Sequence, residues 1–241
     1  MDRIRAIYGL GAIGLGITGL VVGGFALQWE PVPKGLALYQ PLAFLGAAWL
    51  LAGGIACLFR RTSAWGALAL AAQYGLWVLA LHLPRAIGHP AELASWQAVA
   101  ESLALCLGGV LGWAAQRDAA LVRTVAQRLF GVCGLVFGAS HFVYAKFTAA
   151  MVPGIYPFPM AWVWLTGAGH LAAGASLLSG VLSRMAAAAL TAMFAVFVLT
   201  LHAPRVAHAP ADRLEWTMAF IALSLTGAAW NLYGALTPRQ T

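Results

Sequence analysis

A handful of ionisable side chains set inside long apolar runs are the residues of this chain equipped for chemistry. His82 and His202 occur in one repeated phrase, Leu81-His82-Leu83-Pro84-Arg85 and Leu201-His202-Ala203-Pro204-Arg205. His141, Lys146 and His170 occur once each. A neutral imidazole near pH 7 accepts or donates a proton, which suits hydrogen bonding to a quinone carbonyl or relaying its protons. The same side chain can ligate a b-type haem between helices. Lys146 and Arg205 offer positive charge to an anionic substrate or headgroup, and Thr166 lies one helical turn from His170. An ionisable group in hydrocarbon is costly and reads first as functional. The competing reading is structural: a hydrogen-bonded core histidine, or a His and Arg in a last helical turn that complement the helix dipole and anchor in the headgroups.

The repeated phrase is part of a larger repeat. An offset of 120 residues also places Val32-Pro33 on Val152-Pro153, Gly54 on Gly174, Pro90-Ala91-Glu92 on Pro210-Ala211-Asp212 and Trp96 on Trp216. One unit is therefore used twice, 1–120 and 121–241, and a fixed period of this kind governs the fold. At that offset His141 stands where the first unit has Val21, Lys146 where it has Ala26, and His170 where it has Leu50. The first unit instead carries Gln73 opposite Met193 and Glu101 opposite Ile221. The second unit is thus the expected ligand site, through His141, Lys146, Thr166, His170, His202 and Arg205. Gln73, His82, Arg85 and Glu101 form a secondary group, in which Glu101 could pair with His82 or Arg85.

Composition decides what positions these residues. With 62% hydrophobic and 9% charged residues and a mean hydropathy of +0.82, the chain has too little polar surface for a water-soluble globule of its size. Eight apolar segments, roughly 6–28, 37–59, 64–83, 94–115, 126–147, 158–180, 184–203 and 215–236, approach the ~20 residues that span a bilayer as helix. The expected fold is an all-α membrane protein of eight transmembrane helices, two parallel four-helix units related by a pseudo-two-fold along the membrane normal. The first segment resembles a signal peptide, but its counterpart in the second unit is internal, so it reads as a retained helix. Arg3, Arg5, Arg60, Arg61, Arg117, Arg123, Arg128, Arg184 and Arg239 fall on the side of the termini, and Lys34, Arg85, Lys146, Arg205 and Arg213 on the other. That bias places both termini in the cytoplasm. Prolines crowd the opposite loops, and Pro84 and Pro204 are expected to end the third and seventh helices. Trp29, Trp96, Trp162, Trp164 and Trp216 read as an interfacial belt, and Gly19/Gly23 and Gly134/Gly138 as GxxxG packing pairs.

Several classes drop out. The net charge of +7 is spread singly through short connections, with no basic and aromatic interleaving, so no nucleic-acid partner is expected. Cys57, Cys106 and Cys133 lie in apolar runs without a C-x-x-C pair, which argues against thiol-disulfide chemistry. Histidines at different expected depths weigh against haem, and the absence of i, i+4 histidine pairs weighs against a zinc or iron site; no metal ligand set is assigned.

Gly138-Ala139-Ser140-His141-Phe142, Met151-Val152-Pro153, Trp162-Val163-Trp164-Leu165-Thr166-Gly167-Ala168-Gly169-His170-Leu171 and Leu201-His202-Ala203-Pro204 together resemble the DoxX/DoxD-type four-helix membrane domain. The resemblance is clearest over about 126–236 and extends to the first unit through the repeat. It implies a bacterial or archaeal cytoplasmic (inner) membrane protein associated with redox systems, since the archaeal DoxD protein is a subunit of a thiosulfate:quinone oxidoreductase. The tandem chain departs from the usual single domain. Three functions follow as expectations: a redox-associated subunit that binds a quinone or similar amphipathic molecule from the outer face beside a partner subunit; a transporter of a small anion or hydrophobic solute; or a membrane scaffold for a partner complex.

Overall fold

Backbone amides in lipid must bond within their own segment, and this chain meets that demand with helices throughout. The structure, a computed structural model, describes residues 3–237, with side chains from residue 6 onward. Arg239 and the side chains of Arg3 and Arg5, which contribute to the expected sidedness, lie outside the described residues. The helices are α1 (Arg3–Val22), α2 (Tyr39–Leu58), α3 (Ser63–Leu76), α4 (Leu83–Gly88), α5 (Leu93–Ala114), α6 (Ala120–Val143), α7 (Ala145–Met151), α8 (Pro159–Ser179), α9 (Ser183–Phe197), α10 (Ala203–His208) and α11 (Arg213–Ala235). No strand occurs among the described residues.

Among the described residues, six stretches are long and apolar enough to cross a membrane: Tyr39–Leu58, Ser63–Gly88, Leu93–Ala114, Ala120–Val143, Ser183–His208 and Arg213–Ala235. The apolar part of α1, Ala6–Val22, is shorter, and α8 is diluted by Thr166, His170 and two tryptophans. Leu45, Leu79, Leu121, Leu165 and Leu199 stand well exposed around the outside, a girdle that lipid covers and water would not tolerate.

Two segment ends differ from expectation. The first apolar run leaves the helix at Val22, because Gly23 takes φ +66° and the chain turns. Gly23 therefore ends the helix while still facing Gln40 and Phe44 of α2, as Gly19 faces Ala47. The fifth run breaks at Tyr144, which puts Lys146 on the separate helix α7.

The prolines do not end their helices either. A π-helical turn, Trp77–His82, joins α3 to α4, and another, Val198–His202, joins α9 to α10. A proline inside an α-helix would drive its ring into the carbonyl four residues back, here Ala80 or Thr200; the wider π turn accommodates the ring, and the helix runs on to Gly88 or His208. His82 and His202 therefore sit at internal junctions, not in terminal turns.

Around the bundle, α1 packs on α2, α2 on α3, α3 on α5, α5 on α6, α6 on α8, α8 on α9, α9 on α11, and α11 closes on α1, while α5 and α11 also touch. Lipid supplies no hydrophobic drive for these contacts, so they depend on close approach. A Cβ at Gly227 of α11 would lie 2.3 Å from the backbone nitrogen of Tyr8 on α1, and one at Gly108 of α5 would lie 2.3 Å from the Ala228 Cβ. Gly134 and Gly138 do face α8, opposite Gly174 and Leu171.

Gly227→Ala is expected to destabilise the protein in detergent by about 1–3 kcal/mol, since main chain cannot move aside as a side-chain tip can. Gly234→Ala, with nothing within 4 Å of the added Cβ, should be neutral or gain up to about 1 kcal/mol of helix propensity. Unfolding midpoints of the two variants check both.

Candidate functional site

Two polar groups are built into the bundle, one in each half. In the first half, the chain leaving α1 makes a 3-10 turn, Leu27–Trp29, with Leu27 at φ +51°, a conformation that disfavours a branched side chain. The turn drives Trp29 and Glu30 inward until they are 7% and 8% exposed. The Trp29 indole N–H donates to Glu101 Oε2 at 3.0 Å, and its carbonyl accepts from His82 Nε2 at 2.9 Å. A carbonyl only accepts, so His82 carries its proton on Nε2 and leaves Nδ1 as an acceptor. Gln97 donates to Glu101 Oε1 at 3.4 Å. Glu101 thus meets an indole and an amide, and the expected ion pair with His82 or Arg85 is replaced by hydrogen bonds that converge on Trp29. Arg85 itself is exposed.

Glu30 Oε2 accepts from the Ala26 N–H at 2.8 Å. Gln73 donates to the Gly46 carbonyl at 2.9 Å, and a Cβ at Gly46 would lie 3.4 Å from the Gln73 amide nitrogen and 3.6 Å from Glu30 Oε1. The missing side chain at position 46 is what lets the amide and the carboxyl share that space. Gln73 Oε1 is buried without a hydrogen-bond partner. From α11, Arg213 reaches over to donate to the Gly24 carbonyl at 3.0 Å and to the Phe25 carbonyl. Glu30, Arg213, Thr18 and Thr217 line a small cavity with room for about one water. Burial pushes the Glu30 carboxyl up from 4.5 to about 7, against the opposing pull of the Ala26 N–H, the Trp77 side chain and the Arg213 charge.

In the second half, His141 of α6 and His170 of α8 come ring to ring, centroids 5.2 Å apart and planes tilted by 46°. Gly167 makes the approach possible, because a Cβ there would lie 2.9 Å from the His141 Cβ. His141 Nδ1 donates to the Phe137 carbonyl at 2.8 Å, so its Nε2 is the acceptor when the ring is neutral. His170 is 1% exposed and its Nδ1 has no hydrogen-bond partner. Phe137 and Phe194 flank it, each at 5.5 Å between centroids. With the two rings in contact, no porphyrin fits between them. Among the described residues no group of three or more His, Cys, Asp or Glu is arranged to hold a metal ion.

The remaining expected ligands stand apart from this pair. The Thr166 hydroxyl bonds back to the Trp162 carbonyl at 2.8 Å. Lys146 is exposed on α7. Arg205 forms a two-point ion pair with Glu215, Nε to Oε2 at 2.8 Å and an Nη to Oε1 at 2.7 Å. Its charge is neutralised, which corrects the expectation that it is offered to an anionic ligand. His202 has Arg205 and Glu215 as its charged neighbours and makes no ring contact among the described residues, so a continuous histidine trail does not form; its Nδ1 is buried without a partner.

Residues 130–232 match the family model described as Domain of unknown function (DUF8561). No curated protein and no solved structure matches the chain. The matched span holds His141, His170, His202, Arg205 and Glu215 and leaves out Glu30, Gln73, His82 and Glu101.

Glu30, Trp29, Trp77 and Arg213 are the polar-cluster residues that the sequence reading passed over. Trp29 belongs to the cluster and not to an interfacial belt, whereas Trp96, Trp162 and Trp216 hold the loop carbonyls of Pro90, Pro157 and Pro210. The signal was present in the offset: Trp29 and Glu30 stand opposite Ala149 and Ala150.

The Glu30 shift carries a pH dependence. Its folded value lies above its ordinary one, so the folded state binds the proton more tightly, and stability falls as pH rises from about 4.5 to about 7. The fall from this group is on the order of 3 kcal/mol at most. Glu30→Gln should flatten the decline, measured as unfolding midpoint against pH in detergent.

Proposed function

We propose that the chain is a DoxX-like, multi-pass protein of a bacterial or archaeal cytoplasmic membrane. In this reading it crosses eight times as two parallel four-helix halves related by a pseudo-two-fold, with both termini in the cytoplasm. Its second half binds a quinone or a similar amphipathic small molecule from the face opposite the termini, as a redox-associated subunit. The recurrence of helix neighbours and of the two π turns at the 120-residue offset supports the paired arrangement.

The observation that carries the ligand reading is the His141–His170 contact. Two imidazoles within apolar helices lack water to satisfy them, and His170 Nδ1 is left without a partner between two phenylalanine rings. A buried polar atom of this kind is costly unless something bonds it. A ring bearing carbonyl or hydroxyl groups suits the place: its faces pack against Phe137 and Phe194, His170 meets its oxygen, and the free Nε2 of His141 accepts from its hydroxyl form.

A direct test titrates the purified protein in nanodiscs with a short-tailed quinone and its quinol. Saturable binding is expected, weakened about ten-fold by His170→Ala or His141→Ala, the worth of one hydrogen bond to a buried group. His208→Ala, an exposed histidine on α10, should leave it unchanged. Equal binding by all four proteins would sink the reading, and anion flux in proteoliposomes without quinone binding would favour transport instead.

A further inference from the structure

A second polar recess lies at the other end of the bundle, where α1 starts and α11 ends. Between the start of α6, the start of α9 and the end of α11 is an open cavity of about 840 Å³, lined by Thr124, Gln127, Arg128, Ser183, Arg184 and Tyr233, with apolar walls from Leu182, Met185 and Leu236. Among the described residues no carboxylate lines it. Arg184 is fixed there: its guanidinium lies over the Tyr233 ring at 4.9 Å from the centroid and donates to the Tyr233 hydroxyl at 2.9 Å. A guanidinium has five N–H donors, so this contact orients Arg184 and leaves others to spare. Gln127 is held by the Leu177 carbonyl at 2.8 Å and the Ser183 hydroxyl at 3.0 Å, tying α6 to the end of α8 and the start of α9. Arg128 is exposed beside it.

We infer that this cavity binds the phosphate headgroup of an anionic membrane lipid. Two arginines with no carboxylate among the described lining residues form a site for a phosphate, which guanidinium forks match in pairs of hydrogen bonds. What selects a lipid over a soluble phosphate is the surface that runs away from the cavity. Val125, Leu129 and Val132 share one face of α6, which runs past Arg128 towards the middle of the helix, and are 48%, 40% and 44% exposed, and Met185 on α9 is 62% exposed. Acyl chains laid on that apolar strip leave the headgroup at the arginines. Basic recesses between membrane helices on the cytoplasmic side suit such lipids. The site occurs once per chain: the positions equivalent to Arg128 and Arg184 in the first half are Tyr8 and Ala64. This inference is independent of the quinone reading, since it uses another face and other residues.

The test measures binding of phosphatidylglycerol to the full-length protein by native mass spectrometry and by titration in phosphatidylcholine nanodiscs. One tightly held phosphatidylglycerol per chain is expected, with affinity reduced about twenty-five-fold in Arg128→Gln/Arg184→Gln, from roughly a five-fold contribution of each surface cation. Arg60→Gln/Arg61→Gln, on the same side of the membrane, removes equal charge elsewhere and should change affinity little. Equal losses in the two double variants would overturn the inference, by showing general charge attraction. Displacement of the lipid by inorganic phosphate at similar concentration would also overturn it, by showing a site for the free anion. Should the cavity variant lose its helical signal, Arg184→Lys serves instead: it keeps the charge, loses the fork and the Tyr233 contact, and is expected to weaken binding several-fold, while unchanged binding would contradict the proposal.

Discussion

Where Gly227 faces Tyr8, α11 and α1 touch main chain to main chain, and where Gly108 faces Ala228, α5 and α11 come nearly as close. In a bilayer this approach replaces the hydrophobic effect as the source of helix association, because lipid tails are as apolar as leucine. The rest of the structure depends on it. α11 meets the first half through both α1 and α5, and from its place against α1 Arg213 binds the loop carbonyls of Gly24 and Phe25. In the second half the same economy of side chains at Gly167 lets His141 meet His170. Small residues therefore set the backbone distances, and the polar groups occupy the space those distances leave.

Two halves that share a pattern of helices carry different chemistry. The first holds acids and amides: Glu30, Glu101, Gln73 and Gln97, organised around Trp29. The second holds imidazoles, and the carboxylate beside His202, Glu215, is already committed to Arg205. Both keep a π turn beside the repeated histidine, and such turns recur at functional sites because they tilt a helix and expose carbonyls without ending it. The shared feature shapes the scaffold, and the unshared residues at equivalent positions distinguish what each half can hold.

The helical class, the membrane setting and the approximate helix positions were legible because they follow from composition and from runs of about 20 apolar residues. The His141–His170 association was legible only as an asymmetry, since the offset marks both residues as unusual but gives no distance between α6 and α8. Three features were not legible. Pro84 and Pro204 read as helix ends, because nothing in the local sequence announces that a π turn will absorb the ring. The inward folding of Trp29 and Glu30 depends on a positive φ at Leu27, a conformation the residue type argues against. The Arg205–Glu215 pair joins α10 to the first turn of α11 through residues ten apart in sequence, and a carboxylate at a helix start looks solvated until its partner's position is known.

The central claim is that the His141–His170 pair is half of a ligand site whose other half is not protein. A density map of the detergent-solubilised protein purified from native membranes tests it most directly. The account predicts a ring-shaped feature between α6, α8 and α9, packed against Phe137 and Phe194, with a polar atom within hydrogen-bonding distance of His170 Nδ1. A closed helix interface at that position, with His170 Nδ1 bonded to a protein group and no added density, would contradict it.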